Sequence, residues 1–180
     1  MSRIVSGIST LRQHIDTLRS APEVYRPQCC PSCGHGALWH HGCYSRKADR
    51  RTTSADECLN PIQIPRYLCS SCQRSCSRLP ECIPPRRWYS WLLQQQVLQS
   101  LLVIYSLHGC SAALGLCRRT VRRWWNWLSS STPTFEFFLR NRYPEWGRTN
   151  DWQSFWRGCL SGTPLSCVMA RLDRDGVAVP

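Results

Sequence analysis

Two pairs of cysteines have the spacing of a metal site. The stretches CCPSCG (29–34) and CSSC (69–72) each contain a C-x-x-C pair. Two residues between cysteines let a tight turn direct both thiolates at one ion, and two such turns complete a tetrahedral shell of four sulfurs. Gly34 permits the backbone to fold beneath the first pair. We predict one structural Zn²⁺ ion, with no open position for catalysis. Its ligands would be Cys30, Cys33, Cys69 and Cys72.

The remaining cysteines leave other interpretations open. The chain contains 13 cysteines, an odd number that disfavours a fully paired disulfide framework. The N-terminus has charges throughout and lacks the apolar run of a secretory signal, so we expect a cytoplasmic protein with reduced thiols. For the cysteines without a partner at ligand spacing, burial is favoured over metal binding. These are Cys43, Cys58, Cys76 and Cys82. The histidines that could replace a cysteine ligand are His35, His40 and His41.

The charge of the chain indicates a polyanionic partner. There are 23 lysine and arginine residues against 11 acidic residues, giving a formal net charge of +12. Residues 88–131 contain four arginines and no acidic residue. A solvated helix face normally mixes both signs, whereas a one-sided excess of positive charge is typical of nucleic-acid binding.

The segment 109–128 predicts a short helix, a turn and a second helix. A short helix around 111–115 would end in a left-handed turn at Gly115, with Leu116 buried and Cys117 as the cap of the next helix. In that helix, predicted over 118–129, a helical wheel collects four apolar residues on a buried stripe. They are Val121, Trp124, Trp125 and Leu128.

The opposite face of this helix is basic. With a preceding helix over 88–107, the arrangement predicts a helix-turn-helix that binds double-stranded DNA. Arginine and asparagine are the residue types that bond phosphates and base edges. A plain solvated helix, RNA or another acidic partner are the alternatives, and Trp127 would pack on the tail or touch DNA. The predicted DNA contacts are Arg118, Arg119, Thr120, Arg122, Arg123 and Asn126.

The predicted fold class is a small α+β protein in four segments. An amphipathic helix over 8–20 lies within the first segment, and SSSTPT (129–134) has the composition of a hinge. The tail predicts a helix from an Asp151 cap to Leu160 and another from Leu165 to Asp173. The stretch 91–107 is interrupted by glutamines and is interpreted as a buried helix, not a membrane span. The segments are 1–26, the zinc ribbon 27–87, the helix-turn-helix 88–131 and the helical tail 132–180.

Aromatic residues of the tail predict a docking surface for a second copy of the chain or a partner protein. A homodimer would suit a palindromic DNA site. The aromatic side chains are Phe135, Phe137, Phe138, Trp146, Trp152, Phe155 and Trp156.

Four motifs together resemble a known bacterial family. They are CPSCG (30–34), HHGCYSR (40–46), IPRYLCSSCQRSCSRLP (64–80) and GCSAALGLCRRTVRRWWNWL (109–128). Over about residues 27–131 the chain is similar to the zinc-ribbon plus helix-turn-helix front ends of insertion-sequence transposases of the InsA type. The resemblance implies the same four cysteine ligands and a recognition helix at 118–123. It also implies a role in DNA recognition or regulation for a mobile element, with a transposase as the partner of the tail. Cys117 stands where the family usually has serine.

The distribution of acidic residues argues against catalysis by this chain. DNA transposases of the usual kind bring three acidic residues to two metal ions. Only five acidic residues follow the predicted helix-turn-helix, within a short segment. We therefore expect a nucleoid-associated binding protein that is not an enzyme. An RNA-binding or ribosome-associated zinc-ribbon protein and a general transcriptional regulator are the alternatives.

Overall fold

The computed structural model describes residues 3–49, 59–85, 89–103, 106–146 and 149–179. The described chain confirms the α+β class, with short strands and six α-helices. It divides into two compact units, one formed by Met1–Ser90 with Ala178–Pro180 and the other by Trp91–Val177. The first unit therefore contains the predicted segments 1–26 and 27–87 together.

The first unit is built on five short strands and one helix. A parallel pair joins β1 to β5, and an antiparallel sheet has the order β2-β3-β4, with a register shift between His40 and Cys43. A one-turn 3₁₀ helix (Pro22–Tyr25) follows α1. The elements are β1 (Ile4–Val5), α1 (Leu11–Ser20), β2 (Leu38–Arg46), β3 (Ile62–Cys69), β4 (Ser75–Cys76) and β5 (Leu79–Pro80).

Helix α1 begins three residues later than its hydrophobic pattern predicts. Thr10 forms a reciprocal cap with Gln13: the Gln13 amide donates to Thr10 Oγ1 at 3.1 Å, and the Thr10 amide donates to Gln13 Oε1 at 3.1 Å. Ile8 precedes the cap and is buried in the core with Val5, Tyr25 and other residues. The hydrophobic pattern does not separate Ile8 from helix α1, because Ile8 and the helix both pack apolar side chains into the first unit.

His14 is the buried side chain of α1, and it connects three elements. The carbonyl of Gln63 in β3 can only accept, so His14 Nε2–H donates to it at 2.9 Å, and Nδ1 then accepts from the Tyr25 hydroxyl at 2.6 Å. This arrangement requires a neutral imidazole. Burial lowers the pKa of His14, and the bond to the Gln63 carbonyl opposes that shift only in part.

Acidification should therefore weaken the first unit through His14. The folded pKa lies below the unfolded value of about 6.5, so the unfolded chain binds the extra proton first and the free energy of unfolding falls as pH drops below about 6.5. Denaturant unfolding of His14→Gln between pH 7.5 and 6 should show a shallower pH dependence than the wild type. His41→Gln, at an exposed position, serves as the control. An unchanged slope in His14→Gln would contradict the assignment.

The second unit consists of five helices, with a one-turn 3₁₀ helix (Pro144–Trp146) before the fourth. Gln95, within the glutamine run of the first helix, accepts a hydrogen bond from the Leu165 amide at 2.8 Å and so satisfies a free donor at the start of the last helix. Within the described residues, no helix has the length and apolar character needed to cross a membrane. The helices are α2 (Trp91–Val103), α3 (Leu107–Leu114), α4 (Arg118–Arg142), α5 (Trp152–Gly162) and α6 (Leu165–Arg174).

Helix boundaries marked by a local cap or turn residue are the ones that the sequence predicts best. Gly115 adopts the predicted left-handed conformation (φ 58°, ψ 39°), and Cys117 caps α4 without a side-chain hydrogen bond. Asp151 caps α5, its carboxylate accepting from the Ser154 amide at 2.7 Å. Helix α3 begins at Leu107, earlier than predicted, because Ser106 caps it. Trp88 of the predicted helix over 88–107 lies outside the described residues, as do residues 104–105.

The predicted hinge at 129–134 is wrong. Helix α4 continues through it as one element, so the predicted boundary between 131 and 132 falls inside a helix. The buried stripe simply extends, with Leu128, Thr132, Phe135 and Leu139 at helical spacing. The Thr132 hydroxyl donates to the Leu128 carbonyl at 2.7 Å and accepts from the Trp156 indole at 2.9 Å. The polar composition of this stretch was misleading, because the Thr132 hydroxyl forms its hydrogen bonds within the second unit.

Replacing Pro133 with alanine should stabilise the protein. Pro133 is exposed inside α4, where proline costs about 3 kcal/mol relative to alanine. Proline also stiffens the unfolded wild-type chain, which offsets up to about 1 kcal/mol of that cost. The free energy of unfolding of Pro133→Ala should therefore exceed that of the wild type by about 2 kcal/mol. Urea unfolding followed by circular dichroism measures the change. A lower free energy of unfolding in the variant would instead indicate a flexible linker at this position.

Three of the seven aromatic side chains predicted to form a docking surface belong to the core of the second unit. Phe135, Phe155 and Trp156 are buried. The Trp152 ring lies 4.9 Å from Trp125, which is only half-buried, and Trp127 packs against Phe135 at 6.0 Å. Of the aromatic residues predicted to form a docking surface, Phe137 is the one with a largely exposed side chain, and Phe138 lies beside it half-buried.

Candidate metal centre

The four predicted cysteine ligands converge in the first unit. Their sulfurs all lie within 4.8 Å of one another. Two cross-pairs, Cys30 with Cys72 and Cys33 with Cys69, have Sγ···Sγ distances of 3.6 Å. Metal–sulfur bonds of about 2.3 Å in a tetrahedron separate the sulfurs by about 3.8 Å, whereas a disulfide needs about 2.05 Å. The geometry is therefore that of one tetrahedral metal site, and the cysteines of the described residues are free thiols.

The two cysteine turns share one backbone pattern. The residue after each pair has a positive φ, 75° at Gly34 and 56° at Gln73. In the first turn the Gly34 amide donates to the Cys30 carbonyl at 2.9 Å, and in the second the Gln73 amide donates to the Cys69 carbonyl at 3.1 Å. Each turn thus folds its backbone beneath the sulfurs. The sequence predicts this role for the glycine, but the equivalent role of Gln73 is visible only in the structure, because a glutamine there gives no local signal.

Strand pairing brings the two turns together. Leu38 at the start of β2 is opposite Cys69 at the end of β3. The Ser70 amide donates to the Ala37 carbonyl at 3.2 Å, which extends the contact beyond the strands into the turns. Cys30 and Cys69 also belong to the core that contains Tyr25 and Tyr67. Half of the metal site is therefore formed by residues that are part of the hydrophobic core.

Cys30 is the cysteine best prepared to bind a metal. The Ser32 amide donates to Cys30 Sγ at 3.4 Å and lowers the pKa of this thiol to about 6. Thiolates are the form that binds metal ions, so this hydrogen bond favours the metal-binding form of Cys30. Cys30 and Cys69 are buried, Cys72 is half-buried and Cys33 is exposed.

The other cysteines and the histidines lie outside the four-sulfur cluster. Cys76 and Cys82 are half-buried and pack against hydrophobic clusters, as predicted, and burial raises the pKa of Cys82 to about 12. Cys43 is exposed beside the register shift of β2, where regular pairing with β3 is interrupted, so the prediction of burial is wrong there. Cys58 lies outside the described residues. The three histidines considered as replacement ligands, His35, His40 and His41, are all exposed.

The predicted DNA contacts lie together at the start of α4 in the second unit. Arg118, Arg119, Arg122, Arg123 and Asn126 are exposed, and Thr120 is half-buried. The opposite side of the helix is buried through Val121, Trp124 and Leu128. Among the described residues, none of the four arginines forms an ion pair. We call this surface the basic face of α4.

A shallow depression of about 440 Å³ lies on the basic face. It opens to solvent, and five of the six predicted contacts line it together with the cap residue Cys117. Arg118 stands apart from the depression but on the same exposed side of the helix. The surface is thus concave and cationic.

These features define a small α+β protein with a four-cysteine site suited to one metal ion. The model of DUF6431, a domain of unknown function, matches residues 30–124, which is more than half of the chain. The protein therefore belongs to this family. The matched range begins at the first cysteine ligand and ends at Trp124, so it contains the four cysteines and the arginines of the basic face. Comparison with curated proteins and with solved structures gives no match.

Proposed function

We propose that the protein is a zinc-containing, double-stranded-DNA-binding protein of a bacterial mobile element, which recognises element DNA or regulates it without a catalytic centre of its own. The observation that carries the proposal is the basic face of α4. Four arginines and one asparagine are exposed there, on a helix whose other side is buried in the core. The mobile-element context, and with it association with the nucleoid, rests on the sequence resemblance.

Zinc is the metal that best suits the four thiolates. Soft sulfur ligands in a closed tetrahedral shell are typical of structural zinc. The four ligands leave no position for water or substrate, so the ion would stabilise the fold and take no part in a reaction. Elemental analysis of the purified protein should give about one zinc per chain. Iron as the main metal, or a folded protein without metal, would contradict this part of the proposal.

The surroundings of α4 support its role as a recognition helix. Helix α3 ends at Leu114 and is capped by Gly115, two further residues follow, and α4 begins at Arg118, while α2 packs against both helices. A short helix, a glycine turn and a second exposed helix form the layout of a helix-turn-helix. The basic face occupies the first turns of the second helix, which is the part that reaches base edges in such proteins.

Titrations with duplex DNA and structured RNA test the proposal. Duplex DNA should bind more tightly, and the affinity should fall with salt because each neutralised phosphate releases counterions. If the four arginines contact phosphates, the slope of log K against log salt should be about −3.6 or steeper. Tighter binding of RNA would favour the RNA-binding alternative, and a weak, salt-independent interaction would remove nucleic acid as the partner. An adjacent transposase gene or terminal inverted repeats would support the mobile-element context.

A further inference from the structure

One side of the β2-β3-β4 sheet carries a large exposed aromatic side chain at the end of the sheet that leads into the cysteine turns. Trp39 is 66% exposed, whereas its neighbour Leu38 is buried in the core. Trp39 is opposite Leu68 in β3, and Leu68 is opposite Ser75 in β4. These three residues therefore form one row across the sheet. Because Ser75 is small and exposed, the row leaves room above Leu68 for a flat group stacked on the indole.

A cation lies beside this row. Arg66 is two residues before Leu68 on the same strand, so both side chains point to the same side of the sheet. Its guanidinium lies 5.1 Å from the ring centre of Tyr44, within the range of a cation–π contact. Tyr44 lies opposite Ile64 on the same side of the sheet, so this contact holds the Arg66 guanidinium on that side. We call Trp39, Leu68 and Arg66 the Trp39 surface.

The charge around the Trp39 surface favours a polyanion over a protein or a neutral ligand. Residues 24–48 and 58–80, which contain the sheet and both cysteine turns, include no acidic residue. Four thiolates around a divalent ion carry a net charge of −2, and the six basic side chains of these ranges exceed it even though Arg26 is neutralised by its ion pair with Glu23 at 2.8 Å. The basic side chains are Arg26, Arg46, Lys47, Arg66, Arg74 and Arg78.

We propose that the Trp39 surface binds single-stranded DNA, with an unpaired base stacked on the Trp39 indole and the neighbouring phosphate held by Arg66. Stacking on an exposed aromatic side chain, combined with positive charge along the backbone, is how proteins bind single strands without reading their sequence. A duplex hides the base faces, so this surface is chemically distinct from the basic face of α4. The choice of DNA over RNA rests on the proposed function.

Fluorescence anisotropy with the metal-loaded full chain and an oligothymidine of about 12 nucleotides tests the proposal. Oligothymidine forms no duplex, so it offers nothing for α4 to read. Trp39→Ala should weaken binding at least about fivefold, the loss of one stacked base, and Trp39→Phe should retain most of the affinity. Phe137→Ala is the matched control, because Phe137 is an aromatic residue of the second unit that is 65% exposed, and it should bind like the wild type.

The outcomes separate this proposal from the proposed function. Arg119→Ala/Arg122→Ala should lose duplex binding and keep oligothymidine binding, while Trp39→Ala should show the reverse pattern. Unchanged oligothymidine affinity in Trp39→Ala, with zinc content and circular dichroism intact, would overturn the Trp39 surface as a binding site. Tighter binding of oligouridine than of oligothymidine would overturn the assignment to DNA. Loss of oligothymidine binding in the α4 variant would place the single strand on α4 instead.

Discussion

Removal of the metal is expected to unfold the first unit and to leave the helices of the second unit folded. The sequence-predicted ligands Cys30 and Cys69 are also core residues of the first unit, so the thiolates cannot separate without opening that core. Structural zinc contributes about 10–16 kcal/mol of binding free energy at neutral pH, which matches or exceeds the whole stability of a typical domain, about 5–15 kcal/mol. Hydrogen exchange with mass spectrometry, before and after chelation, resolves the two units along the chain.

Paired cysteine variants provide the control for this experiment. Cys69→Ser removes a fully buried sulfur of the cluster and should abolish metal binding and protection of the first unit. Cys43→Ser changes an exposed cysteine outside the cluster and should behave like the wild type. Protection of β2 and β3 that survives chelation would show that the hydrophobic core is sufficient by itself. Cobalt substitution adds a second readout, because the intensity of the sulfur-to-cobalt absorption reports how many thiolates bind the ion.

Loss of two arginines from the basic face is expected to weaken duplex DNA binding at least about 30-fold. Each arginine that contacts a base edge or phosphate contributes about 1–3 kcal/mol, so the double variant Arg119→Ala/Arg122→Ala should lose at least about 2 kcal/mol. Both side chains are exposed and line the same depression, so their removal leaves the buried stripe of α4 intact. The slope of log K against log salt should become shallower by about 2 if both contact phosphates.

A matched change of charge elsewhere separates a local contact from the general positive field. Arg12 and Arg19 are exposed on α1 of the first unit. Their double alanine variant changes the net charge equally and should cost far less affinity. Arg119→Lys/Arg122→Lys keeps the charge and removes the planar donor pair. Retained affinity in the lysine variant would indicate phosphate contacts, whereas a loss close to that of the alanine variant would indicate reading of base edges. Equal losses in the α1 and α4 variants would contradict the recognition-helix assignment.

The features predicted correctly from the sequence are those that depend on a few neighbouring residues. A C-x-x-C turn, the left-handed Gly115 and the Asp151 cap are each defined within one turn of chain. Their geometry follows from local sterics and hydrogen bonding, so the order of residues is sufficient. The buried stripe of α4 is also local, since helical periodicity alone collects its apolar residues on one side.

The features that the sequence did not predict depend on residues distant in the chain. SSSTPT reads as a hinge until the Trp156 indole, 24 residues away, bonds to Thr132 and Phe135 enters the same core. Gln73 takes a left-handed conformation because a metal turn requires it there, although its side chain disfavours that conformation. His14 looks like a surface residue of an amphipathic helix until Tyr25 and Gln63 enclose it.

The sequence by itself determined which residues have metal-binding and cationic chemistry, because residue type and short spacing specify both. The α+β class also followed from the sequence, because residue type and short spacing specify the individual strands and helices. Only the tertiary structure decided that the four sulfurs meet within metal-binding distance and that Phe135, Phe155 and Trp156 of the tail belong to the core. It also left Trp39 exposed. Burial and long-range pairing depend on how strands and helices pack against one another, and that packing is a property of the whole chain.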